Sequence, residues 1–401
     1  MIIEAKDWQR PHEIENEALL KEVEALISQI KISGDEKIIQ LSQQFDGFSP
    51  EIIKLKTPES YQLESKTLAQ LKIAASRIEK FAKFQMHQYK DGSFEDEYGC
   101  YGQKVLPIEK IAAYIPGGRF PLASTALMTL IPAKIARCSS RLALSPSDHP
   151  AILAAASLAG ATQFIKIGGV QAIAAAAFGS KFNQAVDMIV GPGNAYVNTA
   201  KALLQSKVKI DSQAGPSELL IISNNQVNPK WLIADMKAQA EHDPMALSVL
   251  ISWNKTFLEQ IEQLLLSNKD GMKLLHSKQI QLVLSQDSNE AIQFSNHMGA
   301  EHLMLCSDEI DSDNLTNYGA LFIGKYSAVA LGDYCAGPNH TLPTSGFSRQ
   351  RGGLQVGDFL RILSFQNIKS RAYPALANTA IALANLESLP QHKNSLESRC
   401  E

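Results

Sequence analysis

Between residues 110 and 210 the chain repeats one unit: a short apolar run, a glycine turn, then a helix of small apolar residues. Residues 111–115 (IAAYI) run into Pro116-Gly117-Gly118, and 124–138 reads as an apolar helix. The run 141–145 precedes a helix over 151–160 that closes on Gly160. Residues 163–167 lead to Gly168-Gly169 and a helix over 171–178. Residues 186–190 lead to Gly191-Pro192-Gly193-Asn194 and a helix over 195–205, and 208–210 closes the set. Continuous apolar runs of strand length, alternating with helices, predict a parallel sheet covered on both faces.

The alternation resumes beyond 217. SELLIIS, LSVLISW (247–253) and IQLVLS (280–285) alternate with helical patterns over 228–243, 255–268 and 288–297, which predicts a second α/β unit across 217–330. The expected fold is therefore α/β, with two Rossmann-like parallel-sheet domains. Residues 1–110 read as a helical N-terminal part of the first domain, 111–216 as its nucleotide-type sheet and 217–355 as the second domain. A helical C-terminal segment, 356–401, carries helices over 357–364 and 374–387. Residues 90–99, KDGSFEDEYG, read as a surface loop or hairpin.

In open parallel sheets, ligands bind beyond the carboxyl ends of the strands, where glycines let them approach backbone N–H groups. Three such loops occur, at 114–118, 168–171 and 191–194. Each alone is as well explained by a tight strand-to-helix turn. Together they favour a site for an anionic ligand, and without a GxGxxG fingerprint the spacing names no dinucleotide.

A length of 401 residues predicts two or three domains. With 38 basic against 41 acidic residues, nothing marks a nucleic-acid surface. The start of the chain has no apolar leader core, and no later run of 18 apolar residues occurs, so no membrane partner is expected. Five scattered cysteines, never in a CxxC pair, read as free thiols in a reducing cytoplasm. Any metal must then rest on imidazole, carboxylate and amide groups.

Four places offer such groups. In NPKWLIADMKAQAEHD (228–243), Asn228 and Pro229 signal a helix start, and Asp235, Gln239 and His242 fall on one stripe. That stripe is either a solvated face or half of a metal site. Glu301-His302, after Gly299, is a carboxylate beside an imidazole, the usual apparatus for proton transfer at neutral pH. Asp333 and His340 lie in LGDYCAGPNHTLPT (331–344), which reads as an irregular loop. Glu387 and His392 close the last long helix, where an exposed histidine is ordinarily without function.

The ordered set YIPGGRFPLASTALM, IGGVQAIAAAAFG, GPGNAYV, DSQAGPSELL, QAEHD, AEHL, GDYCAGPNHTLPT and LESLPQHKNS resembles the histidinol dehydrogenase family over nearly the whole chain from about residue 30. The resemblance implies oxidation of L-histidinol through the aldehyde to L-histidine with two NAD+. It implies a zinc ion on Gln239, His242, Asp333 and His392, the last reaching a partner subunit's site because the tail is exchanged in a homodimer. By the family pattern His302 handles proton transfers and Glu301 activates water. Implied NAD contacts are Tyr114, Gln171 and Asn194, one in each glycine loop. Implied substrate contacts are Ser217, Gln239, His242, His302, Asp333, His340, Glu387 and His392.

Two departures stand out. Ala300 replaces a proline before Glu301, and Val329 stands where the family carries a glutamate four residues before the Asp of GDY. Loss of that carboxylate raises two other possibilities: a relative acting on another small polyol or sulfonated alcohol, or a non-catalytic zinc-bound dimeric paralogue.

Overall fold

The structure, a computed structural model, describes residues 2–11, 17–118, 121–212 and 215–400. Its first six-stranded sheet runs Glu51–Ile53, Gln163–Lys166, Ser140–Ser145, Lys110–Tyr114, Met188–Val190, Lys209–Ile210. All neighbours are parallel except the edge strand Glu51–Ile53. Chain order reverses between Lys110–Tyr114 and Met188–Val190, which is where such a sheet opens a crevice at its carboxyl edge.

The buried runs behave as strands with both faces covered. Ile111, Ala113 and Ile115 pack on one side with the helices Ser65–Met86, Ala123–Ile135 and Pro150–Leu158. Ala112 and Tyr114 pack on the other with Glu17–Ser33, Asp35–Phe45, Gly169–Phe178 and Ala195–Leu204. Neither face needs polar residues, so the period-2 signal is absent from the sequence.

The second sheet repeats the topology: Ile280–Leu284, Leu247–Ser252, Glu218–Ser223, His302–Cys306, Ala320–Ile323, with Ile2–Glu4 added beside Ile280–Leu284, all parallel. Order reverses between Glu218–Ser223 and His302–Cys306. Leu219 and Ile221 face the helices Pro229–Ala240 and Lys255–Leu266, while Leu220 and Ile222 face Ser288–Met298.

Several local expectations are corrected. The first strand, Ile2–Glu4, pairs with Leu282–Leu284 of the second sheet, so the chain's opening residues do not belong with the first domain. A three-residue run has no period of its own, and its partner lies far along the chain. The helix expected over 357–364 is absent. Leu360–Ile368 is instead a strand, paired antiparallel along Gly99–Pro107, which also pairs with Gly92–Glu95. Apolar residues at 359, 360 and 363 imitate helical spacing, but cross-strand pairing decides such a segment. Helix Pro229–Ala240 ends before His242, and Asp333 sits in a short helix, Val329–Tyr334, rather than an irregular loop.

The three-stranded sheet and the tail leave apolar surface uncovered. Ile362 and Phe365 are exposed, and helix Tyr373–Leu386 buries only Ala377 and Ala384 while Leu386 is 80% exposed.

Candidate active site

The amino edge of the second sheet meets the helix leaving the carboxyl edge of the first. Thr125, in the opening turns of Ala123–Ile135, lies with its Oγ1 3.4 Å from His340 Nε2, and Asn339 donates to the Met128 carbonyl at 2.6 Å. His302 opens its strand, and Glu301 immediately precedes it. The second sheet thus contributes its amino edge, the opposite of the usual carboxyl-edge arrangement.

Gly299 makes this possible, ending Ser288–Met298 at φ +56 and turning the chain into Ala300-Glu301-His302. The backbone of Glu218 holds both groups. Its N–H donates to Glu301 Oε2 at 2.8 Å, and its carbonyl oxygen lies 3.1 Å from His302 Nδ1. Glu301 Oε2 is also 3.4 Å from Nδ1, and Asp333 Oδ1 is 3.6 Å from Nε2.

Burial alone would lower the basicity of His302, but Glu301 and Asp333 outweigh it and push the imidazole up to about 10. Burial likewise pushes Asp333 up, yet His302, His340 and His242 together hold it below the ordinary carboxylate range. His340 moves the other way, lowered by burial against the opposing pull of Asp333. Its Nδ1 lies 2.7 Å from the Asp333 carbonyl oxygen, a position for an N–H donor, which leaves Nε2 as the lone-pair nitrogen toward Thr125. Two imidazoles driven apart around one carboxylate are suited to opposite roles in proton transfer.

Gln239 is 2% exposed, and its Nε2, like His302 Nε2, is buried without a hydrogen-bond partner. A buried amide left unpaired costs about 1–3 kcal/mol, which marks a polar pocket shaped for something else. His242 lies on the turn after its helix, exposed, its N–H 3.3 Å from the Gln239 carbonyl. Helix Val329–Tyr334, carrying Asp333, packs against that helix. His242 is close enough to act on the Asp333 carboxylate, and imidazole, amide and carboxylate are groups whose chemistry suits zinc. Among the described residues no three or more His, Cys, Asp or Glu are gathered where they could hold a metal. His392 and Glu387 are exposed on the tail and are not brought to this place. Val329 is 3% exposed in the apolar cluster with Met236 and Phe322, so this position supplies packing and no carboxylate.

The three glycine loops lie along the carboxyl edge of the first sheet. Tyr114 is buried, its hydroxyl accepts the Gly169 N–H at 3.4 Å, and burial pushes its phenol up to about 12. Gln171 is buried and donates to Asp46 Oδ2 at 3.0 Å, the same oxygen that accepts the Gly168 N–H at 3.0 Å. Asn194 is exposed and caps Ala195–Leu204, accepting the Val197 N–H at 3.1 Å. Gly191 has φ +107, and a Cβ there would strike the Tyr114 carbonyl oxygen.

A family model described as histidinol dehydrogenase matches residues 9–400. The chain belongs to the histidinol dehydrogenase family. The histidinol dehydrogenase of Methanosarcina mazei is 38% identical over 396 residues, covering 94% of this chain and 91% of its own. That of Acinetobacter baylyi is 37% identical over 401 residues, covering 95% and 93%. The crystal structure of histidinol dehydrogenase from Elizabethkingia anophelis superposes with a TM-score of 0.89 at 32% identity, covering 98% of this chain and 94% of that one.

In this histidinol dehydrogenase frame several groups escaped the sequence. Asp46 lies in a polar turn that the sequence does not distinguish from any other, and Glu218 sits inside the apolar run SELLIIS, where nothing local assigns its carboxylate a role. Arg10, Lys201 and Asp211 had no local signal, because the partners that give them meaning are distant in sequence. Half-buried Ser217, next to Glu218, gives its carbonyl to the Leu247 N–H at 2.9 Å.

Proposed function

We propose that this chain catalyses the last step of histidine biosynthesis, the NAD-dependent oxidation of L-histidinol through L-histidinal to L-histidine. The carrying observation is Glu301 and His302 held on the backbone of one residue, Glu218, beside Asp333, within a family whose relatives bear the name histidinol dehydrogenase.

With Asp333 engaged by the metal, its charge would no longer hold a proton on His302, which takes the alcohol proton as the first hydride leaves for NAD+. Glu301 then draws a proton from water, which adds to the aldehyde carbon, and the hydrate loses a second hydride to a second NAD+. The balance is one alcohol, one water and two NAD+ giving one carboxylate, two NADH and three protons. Gln239, His242, Asp333 and the partner subunit's His392 would hold zinc. Bound there, the ion supplies an anchor for the imidazole and amino nitrogens of the substrate, an orienting role more than a Lewis-acid one. Ser217, His340 and Glu387 join these groups and His302 in contacting substrate, and Tyr114, Gln171 and Asn194 contact NAD. Residues 111–216 bind the cofactor, 217–355 carry the metal and the proton-transfer pair, and 356–401 reach the partner.

The exchanged homodimer is supported by the uncovered apolar face of the tail, where Leu383 and Leu386 are exposed. A cytoplasmic location is supported by the free thiols, and among the described residues no helix is long and apolar enough to cross a membrane. The relatives' names weigh for histidinol over the polyol-type substrate and against a non-catalytic paralogue.

The zinc-loaded protein should form two NADH per histidine from L-histidinol, and EDTA should abolish this. A zinc-loaded protein inert with histidinol but active on another alcohol would overturn the substrate assignment.

A further inference from the structure

The chain's first residues grip the mounting of the proton-transfer pair. Strand Ile2–Glu4 lies on Ile280–Leu284, Trp8 donates Nε1–H to Gln281 Oε1 at 2.7 Å, and the Trp8 ring meets Phe294 edge-on at 5.0 Å. Phe294 belongs to Ser288–Met298, the helix that delivers Glu301 and His302. Arg10 then reaches two points at once. One guanidinium nitrogen pairs with Glu218 Oε1, and the other donates to the Met298 carbonyl at 2.5 Å. Met298 is the last residue of that helix, where a cation meets the negative end of the helix dipole.

Glu218 is 4% exposed, and its carboxylate has one further clamp, the Ser345 N–H on Oε2 at 3.0 Å. Its own backbone is what holds Glu301 and His302. One guanidinium therefore ties the residue that orients the pair to the helix end from which the pair emerges. The planar fork of arginine suits two acceptors at fixed separation.

We propose that Arg10 is a positioning residue for catalysis, fixing the spacing of Glu301 and His302 through Glu218 and Met298, so that the start of the chain is part of the catalytic mounting. This rests on Glu301 and His302 carrying the proton transfers, as proposed above. Displacing such groups by a fraction of an ångström costs rate more than affinity.

The test compares Arg10→Met, Arg10→Lys and Glu218→Gln with the wild type, reading kcat per bound zinc, KM for NAD+ and zinc content by elemental analysis. Arg10→Met should lower kcat by about 30-fold or more while KM for NAD+ and zinc content stay within about twofold. Arg10→Lys, which keeps the charge but cannot hold both acceptors, should recover only a minor part of kcat. Should Arg10→Met fail to fold, Glu218→Gln is read instead and should show the same fall in kcat. A folded variant of either kind with wild-type kcat per zinc overturns the proposal and leaves the histidinol reading standing. Wild-type protein inert with histidinol overturns both.

Discussion

Lys201 and Asp211 form an ion pair in which each residue is only 1% exposed, and both hold Gly191. The ammonium donates to the Gly191 carbonyl at 2.9 Å, and Asp211 Oδ2 accepts the Gly191 N–H at 2.6 Å. Removing one partner strands a buried charge. Lys201→Met should therefore destabilise the fold by about 3–5 kcal/mol, read from urea unfolding at fixed protein concentration. The double variant Lys201→Met/Asp211→Leu should recover part of that loss, because no charge is left unpaired, but should still bind NAD+ more weakly, because Gly191 keeps neither clamp. Equal stability of Lys201→Met and wild type would contradict the burial of this pair.

The pair also marks the limit of what the sequence reveals. Runs buried on both faces, such as Glu218–Ser223, are legible because strand length and hydrophobicity suffice to specify them. Gly299 was legible because a helix stop needs φ > 0. Lys201 was not, since a lysine on an amphipathic helix ordinarily meets water and Asp211 follows ten residues later, just past the strand Lys209–Ile210. Leu360–Ile368 and Ile2–Glu4 were missed for the same reason, their partner strands being remote. Of the site, Glu301-His302 stood out as a polar pair in apolar surroundings, whereas roles for Glu387 and His392 came only through resemblance, and exposure on the tail adds nothing to them.

Thiol reactivity follows from burial. Burial pushes Cys138 and Cys306 up to about 12, with Asp235 adding to the shift at Cys306. An unfolded thiol ionises near 8.5, so at pH 8–9 the native protein keeps these two protonated while the unfolded chain loses the protons. Iodoacetamide at pH 8 should modify exposed Cys400 readily and spare Cys138 and Cys306 until the protein is denatured, as read by peptide mass spectrometry. Their shifts also favour unfolding as pH rises above 8.5, since the unfolded state then binds fewer protons. Rapid native labelling of Cys306 would contradict its placement in the second core.

The proposed metal ligands are separated from surface histidines by zinc content. His242→Ala and Asp333→Ala each remove a donor from the neighbourhood of Gln239, and should lower bound zinc severalfold by elemental analysis. His87→Ala and His276→Ala, both exposed and remote from that set, should leave zinc unchanged. Equal zinc in all four variants would move the metal elsewhere.

Proton transfer should depend on both members of the Glu218-held pair. His302→Ala removes the imidazole that Glu301 and Asp333 keep basic, and Glu301→Gln keeps the shape but removes the base for water. Losses of about 10²–10⁴ in kcat are the range for positioned acid–base groups. Because Glu301→Gln spares the first hydride transfer, it should accumulate the aldehyde, detectable by trapping with hydroxylamine. A variant that still forms two NADH per histidinol at the wild-type rate would remove Glu301 from the mechanism.

The tail exchange can be read by complementation. If each site takes Glu301 and His302 from one chain and His392 from its partner, homodimers of His302→Ala and of His392→Ala are both impaired, each by a different defect. Unfolded together and refolded at equal amounts, they should form mixed dimers in which one site collects both lesions and the other collects none. Random pairing makes half the dimers mixed, each with one intact site of two, so activity should approach about a quarter of the wild-type value. Sites built within single chains would give no such recovery, since every site would then carry one lesion whatever its neighbour. A second variant tests the surface that would bring the tails together: Leu386→Asp, on the helix whose apolar face is uncovered, should shift the protein from dimer to monomer in sedimentation and lose activity in parallel. A Leu386→Asp monomer with full activity would show that no group from the partner is needed.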